Sequence, residues 1–163
     1  MATTNIKYNG WTALTVTLTS LASNAARQSA LIDNTTNLYV DYLLGGGFKT
    51  ALGSLGSSPG LSIWVFALTD GTNYGGSNGT NSLGGGDAAF TMPSNTGNLK
   101  LAAFVPINTA AATEYMQPVS IASLFGGTLP PKVGIVVQNQ TGLALDSSSP
   151  GAVEYNGVNT TTA

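Results

Sequence analysis

Seven carboxylates carry all the acid chemistry this sequence can offer near neutral pH: Asp33, Asp41, Asp70, Asp87, Glu114, Asp146 and Glu154. The chain has no histidine and no cysteine. The commonest general base and the best thiol nucleophile are therefore missing, and neither a Ser-His-Asp nor a Cys-His arrangement can form within it. A zinc site built on imidazole or thiolate is excluded for the same reason. Two carboxylates alone can hydrolyse a glycoside when a fold brings them together, but no two of the seven form a recognisable pair by spacing. Asp41 sits in an alternating apolar run and reads as a solvated or hydrogen-bonded strand residue. The expectation is a protein that is not an enzyme and uses no cofactor.

Oxygen donors come closest to a metal site in the polar segment 70–87, where Asp70, Asn73, Asn78 and Asp87 are available to a calcium ion. Their spacing is not that of an EF-hand, and no glutamate closes the set, so no metal is expected. The triple glycine Gly45-Gly-Gly47 lacks the Gly-Lys-Ser/Thr that would make it a phosphate cradle. Asn34, Asn78, Asn139 and Asn159 all match the glycosylation acceptor pattern. In a chain this rich in Asn and Thr, that reads as composition.

Short β-type runs must position these side chains. Leu14, Val16 and Leu18 alternate with threonines, a period-2 strand with one apolar face. Residues 20–29 are Ala-rich without a helical stripe and read as a connecting arm. Asp33 and Asn34 suit an Asx-type turn. Leu38 to Leu44 alternates as another strand, which Gly45-Gly-Gly47 should end. Residues 62–69, apolar on both faces, predict a strand that sits in a sheet interior or carries its aromatic face into an intersubunit contact. A long polar loop, flexible or contacting another subunit, follows over 70–87. Residues 88–92 and 98–106 read as strands, the latter with Leu99, Leu101, Ala103 and Val105 on one face. Val119 and Ile121 alternate in residues 116–125, and residues 152–159 supply a last short strand.

The most specific stretch is 130–145. Pro130 and Pro131 mark a strand beginning because they lack ladder N–H groups. Val133 to Val137 is a buried β-branched run. Asn139-Gln-Thr-Gly142 has turn chemistry, and Leu143 and Leu145 should open a second strand. About eight short strands with Gly, Asn, Ser and Pro between them predict an all-β, antiparallel β-sandwich, jelly-roll-like, with long Gly/Asn-rich loops. The expected organisation is one domain over 1–163, with an N-terminal arm (1–12) and a flexible tail (159–163).

Charged residues make up 7% of the chain, against about a quarter in typical domains, and the net charge is −2. Lys7, Arg27, Lys49, Lys100 and Lys132 stand singly, so there is no basic stripe for nucleic acid and no cationic helix for a membrane. No apolar run reaches the length of a membrane span, and Met1-Ala-Thr-Thr-Asn begins no apolar signal segment, which suggests synthesis in a cytoplasm. Weak self-repulsion makes association electrostatically easy.

Several runs together resemble small virion structural proteins of tailed bacteriophages. They are Ser20-Leu-Ala-Ser with Arg27-Gln-Ser and Ile32-Asp-Asn-Thr-Thr-Asn-Leu-Tyr39; Asp70-Gly-Thr-Asn-Tyr74; Ser123-Leu-Phe-Gly-Gly127 with Leu129-Pro-Pro-Lys-Val-Gly-Ile-Val-Val137 and Asn139-Gln-Thr-Gly-Leu-Ala-Leu145; and Tyr155-Asn-Gly-Val158. The chain departs from that pattern in the Gly-rich loop 70–87 and at Lys132-Val133, where similar sequences carry an aromatic. By analogy with head-decoration (cement) proteins, the resemblance implies a sandwich made in the host bacterial cytoplasm and placed on the capsid surface. Its partners would be the major capsid protein and copies of itself, as a homotrimer. Trp11, Tyr74 and Tyr155 are then the candidate contact residues. The alternative is a tail, neck or fibre component, including a carbohydrate-binding module for host attachment.

Overall fold

The computed structural model describes residues 3–76, 82–96 and 98–162. Among the described residues, ten strands and one helical turn follow one another: β1 (Thr4–Ala13), β2 (Ala26–Gln28), β3 (Ile32–Asp33), β4 (Asp41–Lys49), β5 (Gly60–Ala67), β6 (Ala88–Phe90), β7 (Lys100–Pro106), β8 (Thr113–Ser120), α1 (Ile121–Leu124), β9 (Lys132–Asn139) and β10 (Gly151–Thr162). They form two sheets. One runs β1-β10-β4-β8; the other runs β6-β2-β9-β5-β7, with β3 also paired to β9. Every pairing is antiparallel. The fold is the all-β sandwich that the sequence predicts.

The two sheets close on a single main core. Tyr42, Leu44 and Phe48 of β4, Met116 of β8 and Val153 of β10 pack with Leu61, Ile63 and Val65 of β5, Val105 of β7 and Val133, Ile135 and Val137 of β9. The run Val133 to Val137 is fully buried, as its β-branched composition requires, and β9 lies inside its sheet between β2 and β5. A smaller cluster of Ala26, Phe66, Leu83, Phe90, Leu99 and Val136 fills the far side of that sheet.

Several expectations need correction. The arm expected over 1–12 is an edge strand from Thr4 onward, paired along its length with β10. The tail expected to be flexible continues β10 to Thr162. Polar, threonine-rich segments can still pair when each supplies the other's ladder. Leu14 to Leu18 makes no ladder, although its alternation survives as burial: Leu14 and Leu18 face the core and the threonines face solvent. The arm expected over 20–29 contains β2, an inner strand.

Gly45-Gly-Gly47 does not end β4 but lies within it, and the strand begins three residues later than Leu38. Leu38 is instead left-handed (φ 53°) and exposed, in a turn where Asn34 both donates to and accepts from the Tyr39 backbone. In β7 a bulge at Ala102 breaks the alternation, so Leu101 turns outward while Leu99 and Val105 stay buried. Ile121 starts α1 behind the cap Ser120, whose side chain accepts from the Ser123 N–H. Leu143 and Leu145 make no second strand; Leu145 keeps one isolated bridge to Thr50.

Candidate functional site

Six of the seven carboxylates hold backbone in place. Asp33 accepts from the hydroxyl (2.6 Å) and N–H (2.8 Å) of Thr35 and pairs with Lys132, which together hold its pKa at about 2. Asp41 accepts from the N–H groups of Tyr42 and Ala122, joining β4 to the start of α1. Asp70 is lowered by the Asn73 side chain and by the N–H groups of Asn73 and Thr72. Asp87 is pushed up by partial burial, but Arg27 and Thr17 outweigh that and lower it; its Oδ1 lies 2.5 Å from Arg27 Nε. Asp146 accepts from Ser148 and Ser149, with Lys49 3.7 Å away, and its pKa falls to about 2. Glu114 accepts from the Asn108 N–H. These are turn and cap bonds, and none pairs two carboxylates for acid–base work.

Of the four oxygen donors considered for calcium, Asp70 and Asn73 bind one another, Asp87 holds a guanidinium, and Asn78 lies outside the described residues. Among the described residues no group of three or more acidic or imidazole-type ligands is placed to hold a metal ion. Asn34 and Asn139 are buried and hydrogen-bonded, so neither can carry a glycan in this fold.

The three aromatic candidates fall in different places. Tyr155 turns inward, half-buried, with its ring edge-on to Tyr42 at 5.3 Å. Tyr74 packs edge-on to Phe66 at 5.7 Å and belongs to the smaller apolar cluster. Trp11 is 45% exposed and lies on the outer face of the four-stranded sheet.

A bulge puts it there. Tyr8 pairs with Val158 and Trp11 with Asn156, so three residues of β1 match two of β10. In an unbroken strand, residues 8 and 11 would point to opposite faces; the bulge sends both to the same one. Gly10 supplies the φ of 90° that the bulge needs. Asn9 locks it: its N–H donates to Asn156 Oδ1 (3.0 Å), and its Nδ2 donates to the Gly157 carbonyl (2.8 Å) and to Asn159 Oδ1 (2.9 Å).

Trp11 thereby reaches across β10 and lies over Gly45 of β4. A Cβ on Gly45 would stand 3.0 Å from Trp11 Cη2 and 3.1 Å from Cζ3. Tyr115, from β8 on the other side, lies over Gly47, where a Cβ would stand 3.0 Å from its Cδ1 and Cε1. The glycines thus form the floor of a groove of about 450 Å³, walled by Trp11 and Tyr115. Thr113, Ser149 and Glu154 add the polar groups. Glu154, the seventh carboxylate, pairs through its backbone with Gly45, and its side chain makes no hydrogen bond or ion pair with any described residue. Trp11 is the one sequence candidate in this groove. Tyr115, Glu154 and the glycine floor lacked a signal, except that Gly45 and Gly47 stand two apart, the spacing of one strand face.

Comparison with protein-family models, curated proteins and solved structures gives no match.

Proposed function

We propose that this chain is a structural subunit of a tailed-bacteriophage particle: a head-decoration protein that stabilises the shell through protein–protein contacts and performs no chemistry. The observation that carries this reading is β1. It is a ten-residue edge strand, exposed at every residue, with Ile6 and Tyr8 67% and 60% exposed. Beyond Val158, β10 has left β4, so Thr4–Lys7 and Asn159–Thr162 form a two-stranded ribbon that projects past the sandwich. Such a ribbon is marginal alone, and a long exposed edge with no proline, interrupted only by Lys7 and the irregularity between Tyr8 and Trp11, is a template for another strand. In an assembly, both features become contact surface. The runs that carry the phage resemblance fall largely on framework: the Asn34 turn, β9 and the buried Asn139–Thr141 turn.

The strand order supports the jelly-roll reading. Without the short β3 and β6, the sheets run first-eighth-third-sixth and second-seventh-fourth-fifth, the order of two interlocked Greek keys. That architecture serves both capsid and lectin domains, an argument by analogy. The second reading, a tail, neck or fibre component that attaches to host carbohydrate, is favoured by the aromatic groove.

The test is a map of the particle with subunit counting. A copy number that follows the capsid lattice is expected. A number that follows the tail or neck symmetry sinks the decoration role in favour of the second reading.

A further inference from the structure

We propose that the glycine-floored groove on the outer face of the four-stranded sheet is a saccharide-binding site, with Trp11 and Tyr115 as stacking platforms and Glu154 as the hydroxyl acceptor. Three features of the groove point to this ligand class.

The first is the attitude of the rings. Both lie down on the sheet because Gly45 and Gly47 have no side chains to prop them up, and both keep a face to solvent, with Tyr115 76% exposed. Their glycine supports stand roughly 7 Å apart along β4. A pyranose has a flat C–H face that packs on such a ring and a rim of hydroxyls that does not. The groove volume, about 450 Å³, lies within the roughly 300–1,000 Å³ typical of small-ligand sites.

The second is construction. Trp11 is aimed into the groove by the Asn9-Gly10 bulge, which three hydrogen bonds of Asn9 hold in place. At the opposite wall a second bulge places Pro118 of β8 against β4, where Leu44 pairs with Val119 and Gly46 with Met116. Bulges re-aim side chains, and here both flank one cavity.

The third is Glu154. The six other acids are tied to N–H or hydroxyl donors, whereas this one faces the groove with no partner among the described residues. The floor belongs to β4, an inner strand whose three glycines pair with β10 and whose Gly46 and Gly47 also pair with β8, so most of the hydrogen bonding falls to side chains. An ionised carboxylate accepts and never donates. A saccharide brings hydroxyl donors in adjacent pairs. A proline-rich peptide, the other usual occupant of aromatic grooves, has few N–H donors to give it. A nucleic acid would stack on the same rings, but its phosphates would meet Glu154 and a net charge of −2.

The site does not depend on where in a particle the chain sits, so a failed copy-number test leaves it standing. The experiment screens the whole chain on an array of neutral and amino-sugar oligosaccharides. The best-bound oligosaccharide is then titrated in solution, with a proline-rich peptide and a single-stranded oligothymidine as the competing classes. Saccharide binding is expected. Trp11→Ala and Tyr115→Ala should each weaken it about tenfold, the scale of losing one stacking ring, and Glu154→Gln should weaken it with both rings intact. Melting temperatures report folding. Should Trp11→Ala loosen the edge strand, Tyr115→Ala on the opposite edge and Glu154→Gln carry the test. No saccharide bound, binding indifferent to these variants, or the peptide or oligothymidine bound instead would each overturn the proposal.

Discussion

Replacing Asn139 by alanine should be among the most damaging single changes to this protein, although the residue sits in a turn and is polar. Asn139 ends β9 and is completely buried. Its Nδ2 donates to the carbonyls of Leu21 and Leu143, both at 2.8 Å. Its Oδ1 accepts from the Thr141 N–H at 3.0 Å and the Thr141 hydroxyl at 2.8 Å. Its own backbone N–H donates to Ala25, and its carbonyl accepts from Asn24. One side chain thus ties the end of the central strand to the segment before β2 and to the segment that leads to β10.

The magnitude follows from what alanine leaves behind. The Leu21 carbonyl keeps the N–H of Leu145, and the Leu143 carbonyl keeps the Thr141 hydroxyl. The Thr141 N–H keeps nothing, since Thr141 is itself fully buried. A buried orphan donor costs about 1–3 kcal/mol, and each further lost bond about 0.5–1.5 kcal/mol. With the hydroxyl proton turning wholly to Leu143 and the two Nδ2 bonds lost, the sum is roughly 2–6 kcal/mol, a large share of the stability of a typical domain. With a urea slope of about 2 kcal/mol/M, the midpoint should fall by roughly 1–3 M. Thr141→Val provides the control. It removes the hydroxyl that Asn139 accepts from and that Leu143 N–H donates to, so the double variant should cost less than the sum of the singles. A midpoint drop under about 0.3 M for Asn139→Ala, or strict additivity in the double variant, would refute the reasoning.

Acid should destabilise the protein between about pH 4 and pH 2. Asp33 and Asp146 have folded pKa values of about 2, below the unfolded value near 3.9, so the unfolded chain binds more protons in that window and stability falls with pH. Urea midpoints measured from pH 5 downward should decline there, and Asp146→Asn should flatten part of the decline; a flat wild-type profile contradicts the assignment. Gly134→Ala should overpack the core, because a Cβ there would meet the ring of Phe66, with Cε1 and Cε2 at 2.9 Å. A loss of about 1–3 kcal/mol is expected, restored in part by adding Phe66→Leu, and equal stability of Gly134→Ala and wild type would contradict the packing.

The sandwich was legible where side-chain pattern and burial coincide. Val133 to Val137 and the run that became β5 are apolar on both faces, and both lie inside their sheet. The reading failed where backbone geometry decides. A triple glycine looks like a strand stop by propensity, yet β4 carries it because a Cβ at Gly45 or Gly47 would crowd the ring of Trp11 or Tyr115 and one at Gly46 would meet the Ala152 carbonyl, while the ladders to β10 and β8 hold the backbone. The lead over 1–12 looks like an arm because it is mostly polar; from Thr4 onward its partner is β10, far along the chain, a pairing no local pattern announces. Tyr155 and Tyr74 were indistinguishable from Trp11 as lone aromatics. What separates them is one bulge at Asn9-Gly10.

The scarcity of charge and the position of the groove have a common consequence. With only seven acids and five bases, each ionic group that locks a turn is one fewer to dress the surface. Asp33, Asp87 and Asp146 each hold a turn or loop and a basic partner, Lys132, Arg27 and Lys49, so three of the five bases are also committed. The outer face of the four-stranded sheet is left with rings, glycines, hydroxyls and one free carboxylate. Such a face cannot steer a charged partner from a distance, because its field is weak and salt screens what remains. Its selectivity has to come from contact: flat apolar area, hydroxyl geometry and the row of unpaired backbone groups along β1. Those features suit neutral partners, a sugar on the face and a strand on the edge, and the two do not compete. A strand on the edge would be read through the backbone of β1, and a sugar on the face through side chains that the Asn9-Gly10 bulge turns away from that edge.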